Sequence, residues 1–302
     1  MGKIVIIGSA NTDMVVKSER LPVPGETILG GRFLMNPGGK GANQAVAAAR
    51  MGGEVIFIAK VGNDLFGREA IAAWQKEKID TRYVTIDPEN STGAALIMVD
   101  SKGENCISVA SGANGTLSPA DLLPARDIIE SADIVLMQLE TPLETVRTAA
   151  QWAEEKGIRV ILNPAPAAKL PDELLASLFL ITPNESEAEI LTGVRVNDEN
   201  SARHVCAELH QRGVANVIIT MGRRGAYLSC GAFREIVPAY PVKAVDTTAA
   251  GDIFNGALAM ALAEGQNWSS AVRLAARAAA LSVTRSGAQR SAPLRSEVAA
   301  FS

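Results

Sequence analysis

The sequence predicts an α/β fold with a central, mostly parallel β-sheet flanked by helices and a small β-sheet beside it. Short apolar runs alternate along the chain with longer, alanine-rich stretches of helical periodicity. Several runs are apolar throughout, which is typical of strands buried on both faces of a parallel sheet. The predicted strands span 4–7, 55–61, 134–139, 159–162, 179–181 and 217–220, and the predicted helices span 41–51, 142–156, 201–212, 251–263 and 269–283.

Two segments, 12–37 and 92–109, interrupt this alternation. Both contain strand-like runs with no helix between them, separated by Pro-Gly and Gly-Glu-Asn turn signals. We expect them to assemble into a small sheet that acts as a lid over one edge of a single domain spanning 1–302. Ordinary surface hairpins are the alternative.

Composition and charge exclude several classes of partner. The 302 residues include 47% hydrophobic and 21% charged residues, with a net charge of -4, as in a folded globular protein. No cluster of Lys and Arg is present, so we expect neither a nucleic-acid nor a membrane partner. The three cysteines form no CxxC pair and are odd in number, which favours a reducing, cytoplasmic location.

A loop of small residues in the last third of the chain leads directly into a predicted helix. Its sequence, Asp-Thr-Thr-Ala-Ala-Gly-Asp, occupies 246–252. Unpaired N–H groups and the helix dipole make such a terminus an anion site suited to phosphate. Asp252, in the first turn, can accept the proton of an attacking hydroxyl. The alternative is that Asp252 only stabilises the helix start.

A second glycine-rich turn, Gly-Gly-Lys-Gly-Ala-Asn at 38–43, opens another helix. No Ser or Thr follows the lysine, so it is not a P-loop. Lys40 and Asn43 can bond sugar hydroxyls, although a plain glycine turn explains the pattern equally well. Upstream, Asn11 and Asp13 are two residues apart and share one face of an extended segment, where Asp13 can accept two vicinal hydroxyls. Both residue types are also favoured in turns.

Three further sets of residues follow predicted strands. Glu140 lies at the carboxyl end of strand 134–139, where open α/β sheets place ligands. Asn184 and Glu187 can hold Mg²⁺ through its waters or form a capping box without a metal. The turn at 220–225 can flank a nucleotide or be a tight hairpin.

Taken in order, these segments resemble the ribokinase and fructokinase family of sugar kinases over nearly the whole chain. The motifs that carry the resemblance are Gly-Ser-Ala-Asn-Thr-Asp at 8–13, Pro-Gly-Glu-Thr at 24–27, 38–44, Asn-Pro-Ala-Pro-Ala at 163–167, Pro-Asn-Glu at 183–185, 246–252 with Phe-Asn-Gly at 254–256, and Gly-Ala-Gln at 287–289. The resemblance implies a ribokinase-like, Rossmann-type sandwich whose β lid also pairs two subunits. It further implies ATP-dependent phosphorylation of D-ribose at O5, with Mg²⁺ and an activating K⁺.

The resemblance also implies a role for individual residues. Asp252 would be the base, and the amides of Ala249, Ala250 and Gly251 would form the anion hole. The sugar would be bound by Asn11, Asp13, Gly39, Lys40, Asn43 and Glu140, together with Asp252. Asn184, Thr220, Gly222, Gly225 and Gly251 would line the ATP site, and Asn184 and Glu187 would organise hydrated Mg²⁺. The K⁺ site would map onto Asp246, Thr248, Ser282, Arg285, Gly287 and Ser291, mostly through backbone carbonyls.

Two positions depart from the family pattern. Ile253 stands where many members carry Thr, and Arg290 precedes Ser291 in the cation loop. Neither removes a catalytic group. The alternatives are a kinase of 2-deoxyribose or another pentose, and a non-catalytic sugar-binding regulator of the same fold. A dinucleotide-dependent dehydrogenase is disfavoured because no GxGxxG follows the first strand.

Overall fold

The computed structural model describes residues 2–301. The strands are β1 Lys3–Ile7, β2 Asn11–Lys17, β3 Arg32–Gly38, β4 Glu54–Gly62, β5 Val84–Asp87, β6 Gly93–Val99, β7 Asn105–Ala110, β8 Ile134–Met137, β9 Arg159–Leu162, β10 Leu180–Ile181, β11 Asn216–Thr220, β12 Ala226–Cys230 and β13 Phe233–Val237. The helices are α1 Lys40–Arg50, α2 Leu65–Lys76, α3 Pro119–Leu122, α4 Arg126–Ile129, α5 Leu143–Glu155, α6 Asp172–Ala176, α7 Glu185–Thr192, α8 Glu199–Gln211, α9 Ala250–Ala263, α10 Trp268–Ser282 and α11 Arg295–Ala300. Within 2–301, none of these helices combines the length and the apolar character required to cross a lipid bilayer.

The main sheet has nine strands in the order β13-β12-β11-β10-β9-β8-β1-β4-β5. Pairing is parallel from β11 through to β5, whereas β12 and β13 extend one edge as an antiparallel hairpin. The parallel strands therefore end at a common edge, where open α/β sheets bind their ligands.

Alternating side chains of the central strands face two separate hydrophobic cores. In β1, Ile4 and Ile6 pack with α1, α9 and α10, whereas Val5 and Ile7 pack with α5 and α8 on the opposite face. All four side chains are fully buried, and each such burial contributes about 1.5–3 kcal/mol relative to exposure. Uniformly apolar runs are therefore what this sheet requires, and the predicted α/β sandwich is confirmed.

The small sheet has four strands in the order β3-β2-β6-β7. Strand β2 pairs antiparallel with β3 and parallel with β6, and β6 pairs antiparallel with β7. These strands come from the two segments that interrupt the predicted alternation, so the separate small sheet is confirmed.

Several elements differ from the sequence prediction. β8 ends at Met137 rather than 139, because the N–H of Leu139 turns away from the ladder and donates to the carbonyl of Ala165 at 2.9 Å. The helix α2 and the strands β5, β12 and β13 were not predicted. The turn at 220–225 does belong to a hairpin, since β11 pairs antiparallel with β12.

Candidate active site

The site lies at the carboxyl edge of the main sheet, in a cavity of about 180 Å³. β9, β10 and β11 each contribute a residue at or just after their last position, and the N-terminus of α9 closes the opposite side. Eight predicted site residues line this cavity: Lys40, Asn184, Glu187, Thr220, Ala249, Ala250, Gly251 and Asp252.

The first turn of α9 presents unpaired backbone donors to this cavity. Ala249 precedes the helix in the left-handed region at φ 60°, and no side chain caps the helix start. Within residues 2–301, the N–H groups of Gly251 and Asp252 have no acceptor, whereas that of Ala250 makes a long bond of 3.3 Å to the carbonyl of Thr247. A Cβ added at Gly251 would meet no atom of another segment within 4 Å, so this side of the helix start is open. This terminus is therefore built to receive an anion.

Asp252 is 6% exposed, and each of its carboxylate oxygens accepts a hydrogen bond from a side-chain amide of α1. Asn43 donates to Oδ2 at 2.9 Å, and Gln44 donates to Oδ1 at 3.0 Å. Burial raises the pKa of the Asp252 carboxyl above its ordinary value, while the charge of Lys40 and the two amides act in the opposite direction. A carboxylate in this setting is a stronger proton acceptor than one in water.

The N-terminus of α1 packs against the end of β1. Gly39, at φ 87°, begins the helix, and a Cβ at Gly41 would lie 2.6 Å from the carbonyl carbon of Gly8, so only glycine permits this approach. Glu140 accepts from the N–H of Lys40 at 3.0 Å and from the hydroxyl of Ser9 at 2.5 Å. Glu140 therefore caps α1 and orients the Gly39–Lys40 turn.

Asn11 and Asp13 project from the first strand of the small sheet toward the same region. Burial, followed by the negative charges of Glu140 and Asp252, raises the pKa of Asp13 to about 6. Burial lowers the pKa of Lys40, but the surrounding carboxylates outweigh that effect and leave the pKa raised. One half-buried ammonium thus lies among several carboxylates, an arrangement that hydroxyl donors of a polyol ligand would stabilise.

Asn184 and Glu187 form a capping box at the start of α7. Oδ1 of Asn184 accepts from the N–H of Glu187 at 2.8 Å, and Glu187 accepts from the backbone and side-chain nitrogens of Asn184 at 2.8 and 2.9 Å. Burial raises the pKa of Glu187. Each Glu187 oxygen accepts one hydrogen bond in the box and keeps a further lone pair, so the box can persist while Glu187 contacts Mg²⁺ through its waters.

The turn after β11 lies beside this capping box. Thr220 forms a bridge with Asn184, and its N–H donates to the carbonyl of Pro183 at 2.9 Å. Gly222 and Gly225 do not line the cavity and belong instead to the following 3₁₀ turn, Gly222–Arg224, and its end. Of residues 220–225, only Thr220 lines the cavity.

The residues predicted to bind K⁺ lie in two segments that the structure brings together. The carboxylate of Asp246 accepts from the N–H of Thr248 and from the N–H of Gly287, both at 2.9 Å. Burial raises the pKa of Asp246, but these hydrogen bonds outweigh it and leave the pKa lowered. Arg285 pairs with Glu297, so only its carbonyl is suited to a cation. Carbonyl and carboxylate oxygens are the ligands that hard cations prefer, so the donor set fits.

Sequence reasoning missed a network of buried amides and hydroxyls in and behind the wall of the cavity. Its members are Gln44, Gln138, Asn163, Thr182 and Asn255, none more than 7% exposed. Asn114, also buried, was missed as well, and it bonds to Ala10 and Asn11 instead. Nδ2 of Asn255 donates to the carbonyl of Gly251 at 2.9 Å, and its Oδ1 accepts from the hydroxyl of Thr182 at 2.6 Å. Asn163 and Thr182 directly follow strands, so the rule that singled out Glu140 would have found them.

The chain is similar to known carbohydrate kinases along nearly its whole length. The profile described as "pfkB family carbohydrate kinase" matches residues 1–295. A ribokinase of Haemophilus influenzae is 46% identical over 298 residues, covering 99% of this chain and 97% of the relative. A deoxyribokinase of Salmonella typhi is 39% identical over 291 residues, covering 96% of this chain and 95% of the relative. The structure of Arabidopsis thaliana ribokinase complexed with ribose and ATP has a TM-score of 0.94 at 34% identity, covering 99% of this chain and 98% of that one.

The fold and these matches define a carbohydrate kinase. The chain belongs to the pfkB family of carbohydrate kinases.

Proposed function

We propose that this chain transfers the γ-phosphoryl group of ATP to the O5 hydroxyl of D-ribose, giving D-ribose 5-phosphate and ADP. The observation that carries the proposal is the meeting, in one cavity, of the Asp252 carboxylate, the unpaired amides of α9 and the ammonium of Lys40. We infer the identity of the acceptor sugar, ribose, from the relatives described as ribokinases.

In the proposed reaction, Asp252 takes the proton of O5 as that oxygen bonds to the γ-phosphorus. The bond from γ-phosphorus to the β,γ-bridging oxygen breaks, and its electron pair leaves with ADP. Gly251 and its neighbouring amides donate to the phosphoryl oxygens, where negative charge is spread in the transition state. Removing one such donor from an enzyme typically costs about 10²–10³ in rate.

The predicted sugar residues hold the acceptor beside this base. Asn11 and Asp13 approach from the small sheet, and Asn43 and Lys40 approach from α1. Asn43 donates to Asp252 through Nδ2, and its buried Oδ1 has no partner within the described residues. We assign that oxygen to a sugar hydroxyl, which would satisfy it.

Two metal ions complete the proposal. Bound Mg²⁺ supplies positive charge to the polyphosphate, and Asn184 and Glu187 would hold it through water. Bound K⁺ supplies positive charge beside the N-terminus of α9, and the carbonyls of 246–248 and 282–291 would hold it. Asp246 joins these two segments through the N–H of Gly287.

A second acceptor, 2-deoxyribose, is favoured by the deoxyribokinases among the relatives, which are 39% identical to this chain. ADP production by the purified protein across ribose, 2-deoxyribose, other pentoses, hexoses and nucleosides separates the acceptors. We expect the highest kcat/KM with ribose. A catalytically silent regulator would produce no ADP with any sugar.

The Asp252→Asn variant tests the base in the same assay. We expect kcat to fall about 10²–10⁴-fold, the usual contribution of a general base, while ribose binding by calorimetry is retained. Near-normal turnover in this variant would contradict the assignment.

We propose that the small sheet is a lid and that its outer face pairs two copies of the chain. Five apolar side chains on that face are 36–60% exposed: Val16, Phe33, Met35, Leu96 and Met98. Val16 lies opposite Phe33 and Met98 in the sheet register, so the patch is continuous. Asn11 and Asp13 lie on the opposite face because side chains alternate along β2. A contiguous exposed apolar patch marks an interaction surface, and a two-fold axis lets it pair with itself.

We further propose a cytoplasmic location. Cys106, Cys206 and Cys230 are free thiols. Unpaired cysteines persist in a reducing compartment. Fractionation of cells that produce the protein tests this, and recovery from an oxidising compartment would contradict it.

A further inference from the structure

We propose that Gln44 is a positioning residue for phosphoryl transfer: its side-chain amide holds the Asp252 carboxylate as a hydrogen-bond acceptor in the orientation that receives the substrate proton, and Gln138 holds Gln44. This inference rests on the proposed role of Asp252 as the base.

Gln44 lies in the second turn of α1 and is fully buried. Its Nε2 donates to Oδ1 of Asp252 and to Oδ1 of Asn163, both at 3.0 Å. Its Oε1 accepts from Nε2 of Gln138 at 2.6 Å. All three of these hydrogen bonds go to polar side chains around the cavity, and none goes to a backbone group.

The direction of each bond follows from the chemistry of the groups. An ionised carboxylate only accepts, so Gln44 must turn its nitrogen toward Asp252. Its oxygen must then face Gln138, which has to donate. Asn163 donates through Nδ2 to the carbonyl of Thr182 at 3.3 Å, so its oxygen faces Gln44. Only one orientation of the Gln44 amide satisfies all of its neighbours.

Burying these amides lowers the stability of the folded protein. A buried amide destabilises a protein unless it is hydrogen-bonded, and Oε1 of Gln138 has no partner within residues 2–301. A Cβ at Gly8 would clash with that oxygen, so the glycine directly after β1 makes room for Gln138. A core built for stability alone would use an apolar residue here, as α1 does at Ala45 and Ala48.

The charged groups around Asp252 come from several elements. Lys40 on α1 is positive, whereas Glu140 after β8, Asp13 on β2 and Glu187 on α7 are acidic. Gln44 stabilises the ionised carboxylate without adding a charge to this balance. Replacing it with an apolar residue of the same length therefore removes a donor while leaving the surrounding charges unchanged.

The test compares Gln44→Met with wild type in steady-state kinetics at saturating ribose and ATP. We expect kcat to fall about 10–100-fold, as for the loss of a hydrogen bond to a charged group, with both KM values little changed. The acid limb of kcat should move to higher pH, since the ionised form has lost a donor. Gln138→Met should produce a smaller change in the same direction, and the double variant should be no slower than Gln44→Met.

Thr145→Val is the matched control. Thr145 is fully buried on α5, on the other face of the sheet, and its hydroxyl donates to the carbonyl of Leu117 at 2.6 Å. This variant should lose stability with kcat and the acid limb unchanged. If Gln44→Met behaves like Thr145→Val, the role of Gln44 is purely structural and the inference is overturned.

Asp252→Asn, assayed in parallel, separates this inference from the proposed function. An active Asp252→Asn removes the base assignment itself. If Asp252→Asn is inactive and Gln44→Met behaves like wild type, Asp252 can still be the base, and only the role of Gln44 is ruled out. Should Gln44→Met fail to fold, Gln138→Met carries the test, because it leaves Gln44 in place: a normal kcat and acid limb there would overturn the proposal.

Discussion

Nδ2 of Asn114 donates to Oδ1 of Asn11 at 2.7 Å, which joins two of the points where the chain crosses between the small sheet and the main domain. Asn11 begins β2, and Asn114 lies in the turn after β7. Asn114 also exchanges hydrogen bonds with the backbone N–H and carbonyl of Ala10, at 2.8 and 3.0 Å. Because the oxygen of Asn11 is engaged, its amide nitrogen is the end that remains for a sugar.

We therefore predict that Asn114→Ala raises the KM for ribose about tenfold, the equivalent of 1.4 kcal/mol, while the KM for ATP stays unchanged. The free energy of unfolding should fall by about 2–3 kcal/mol, because buried backbone groups lose partners. Asn216→Ala is the control, since Asn216 is buried in β11 and donates to the carbonyl of Phe179 at 2.8 Å. It should lose comparable stability without a change in KM. An equal rise in both KM values in Asn114→Ala would contradict the prediction.

Asp13 should make the protein less stable as pH rises, whereas carboxylates with a lowered pKa make a protein less stable as pH falls. Its pKa, about 6, lies above the ordinary 3.8, so the folded state holds a proton between these values that the unfolded state has released. Stability from this group is therefore lost as pH rises through the window. At pH 7, Asp13→Asn should raise the free energy of unfolding by about 1–3 kcal/mol, and the gain should fade toward pH 4.

Urea denaturation at several pH values measures this effect. Ribose affinity of the wild type should fall as pH drops below about 6, and Asp13→Asn should bind ribose weakly at every pH. Asp80→Asn is the control of opposite sign, because a side-chain hydrogen bond from Arg82 lowers the pKa of Asp80. A destabilised Asp13→Asn would show that burial of its charge carries no cost.

The fold was predictable wherever burial on both faces leaves an uninterrupted apolar run, as in β1, β8 and β9. The edge hairpin was missed because one side of β13 faces water, where its sequence Phe-Arg-Glu-Ile-Val mixes exposed and buried residues. α2 was missed because it buries only Gly67 and Trp74, which is too narrow an apolar stripe to show a clear helical period.

The candidate site was predictable where a turn of small residues leads directly into a helix, as at Gly39 and in the loop before Asp252. Gln44, Asn114 and Gln138 were not, because a single polar residue in a helix, in a turn or after a strand says nothing about its partner. The bond from Gln44 to Asp252 spans 208 residues of chain, and that from Asn114 to Asn11 spans 103. Such contacts are set by the packing of α1, α9 and the strand ends together.

The K⁺ proposal predicts that kcat is several-fold higher in potassium chloride than in sodium chloride at equal ionic strength. Asp246→Ala should abolish this difference, because Asp246 joins the two candidate ligand segments through Thr248 and Gly287. Asp198→Ala, which removes a helix cap on α8, should keep it. Equal rates in the two salts would show that K⁺ has no role in the reaction. A difference that persists in Asp246→Ala would show that the K⁺ site does not depend on Asp246.

The outer face of the small sheet predicts the assembly state. Phe33 and Leu96 are 60% and 56% exposed there, and a carboxylate at either position cannot be buried against a second copy without a large desolvation cost. Sedimentation equilibrium should give a dimer for the wild type and a monomer for both Phe33→Asp and Leu96→Asp. Ile190→Asp, at a 51% exposed position on α7, is the matched control and should remain dimeric. A wild-type monomer, or dimers in both variants, would show that these two side chains do not form the contact.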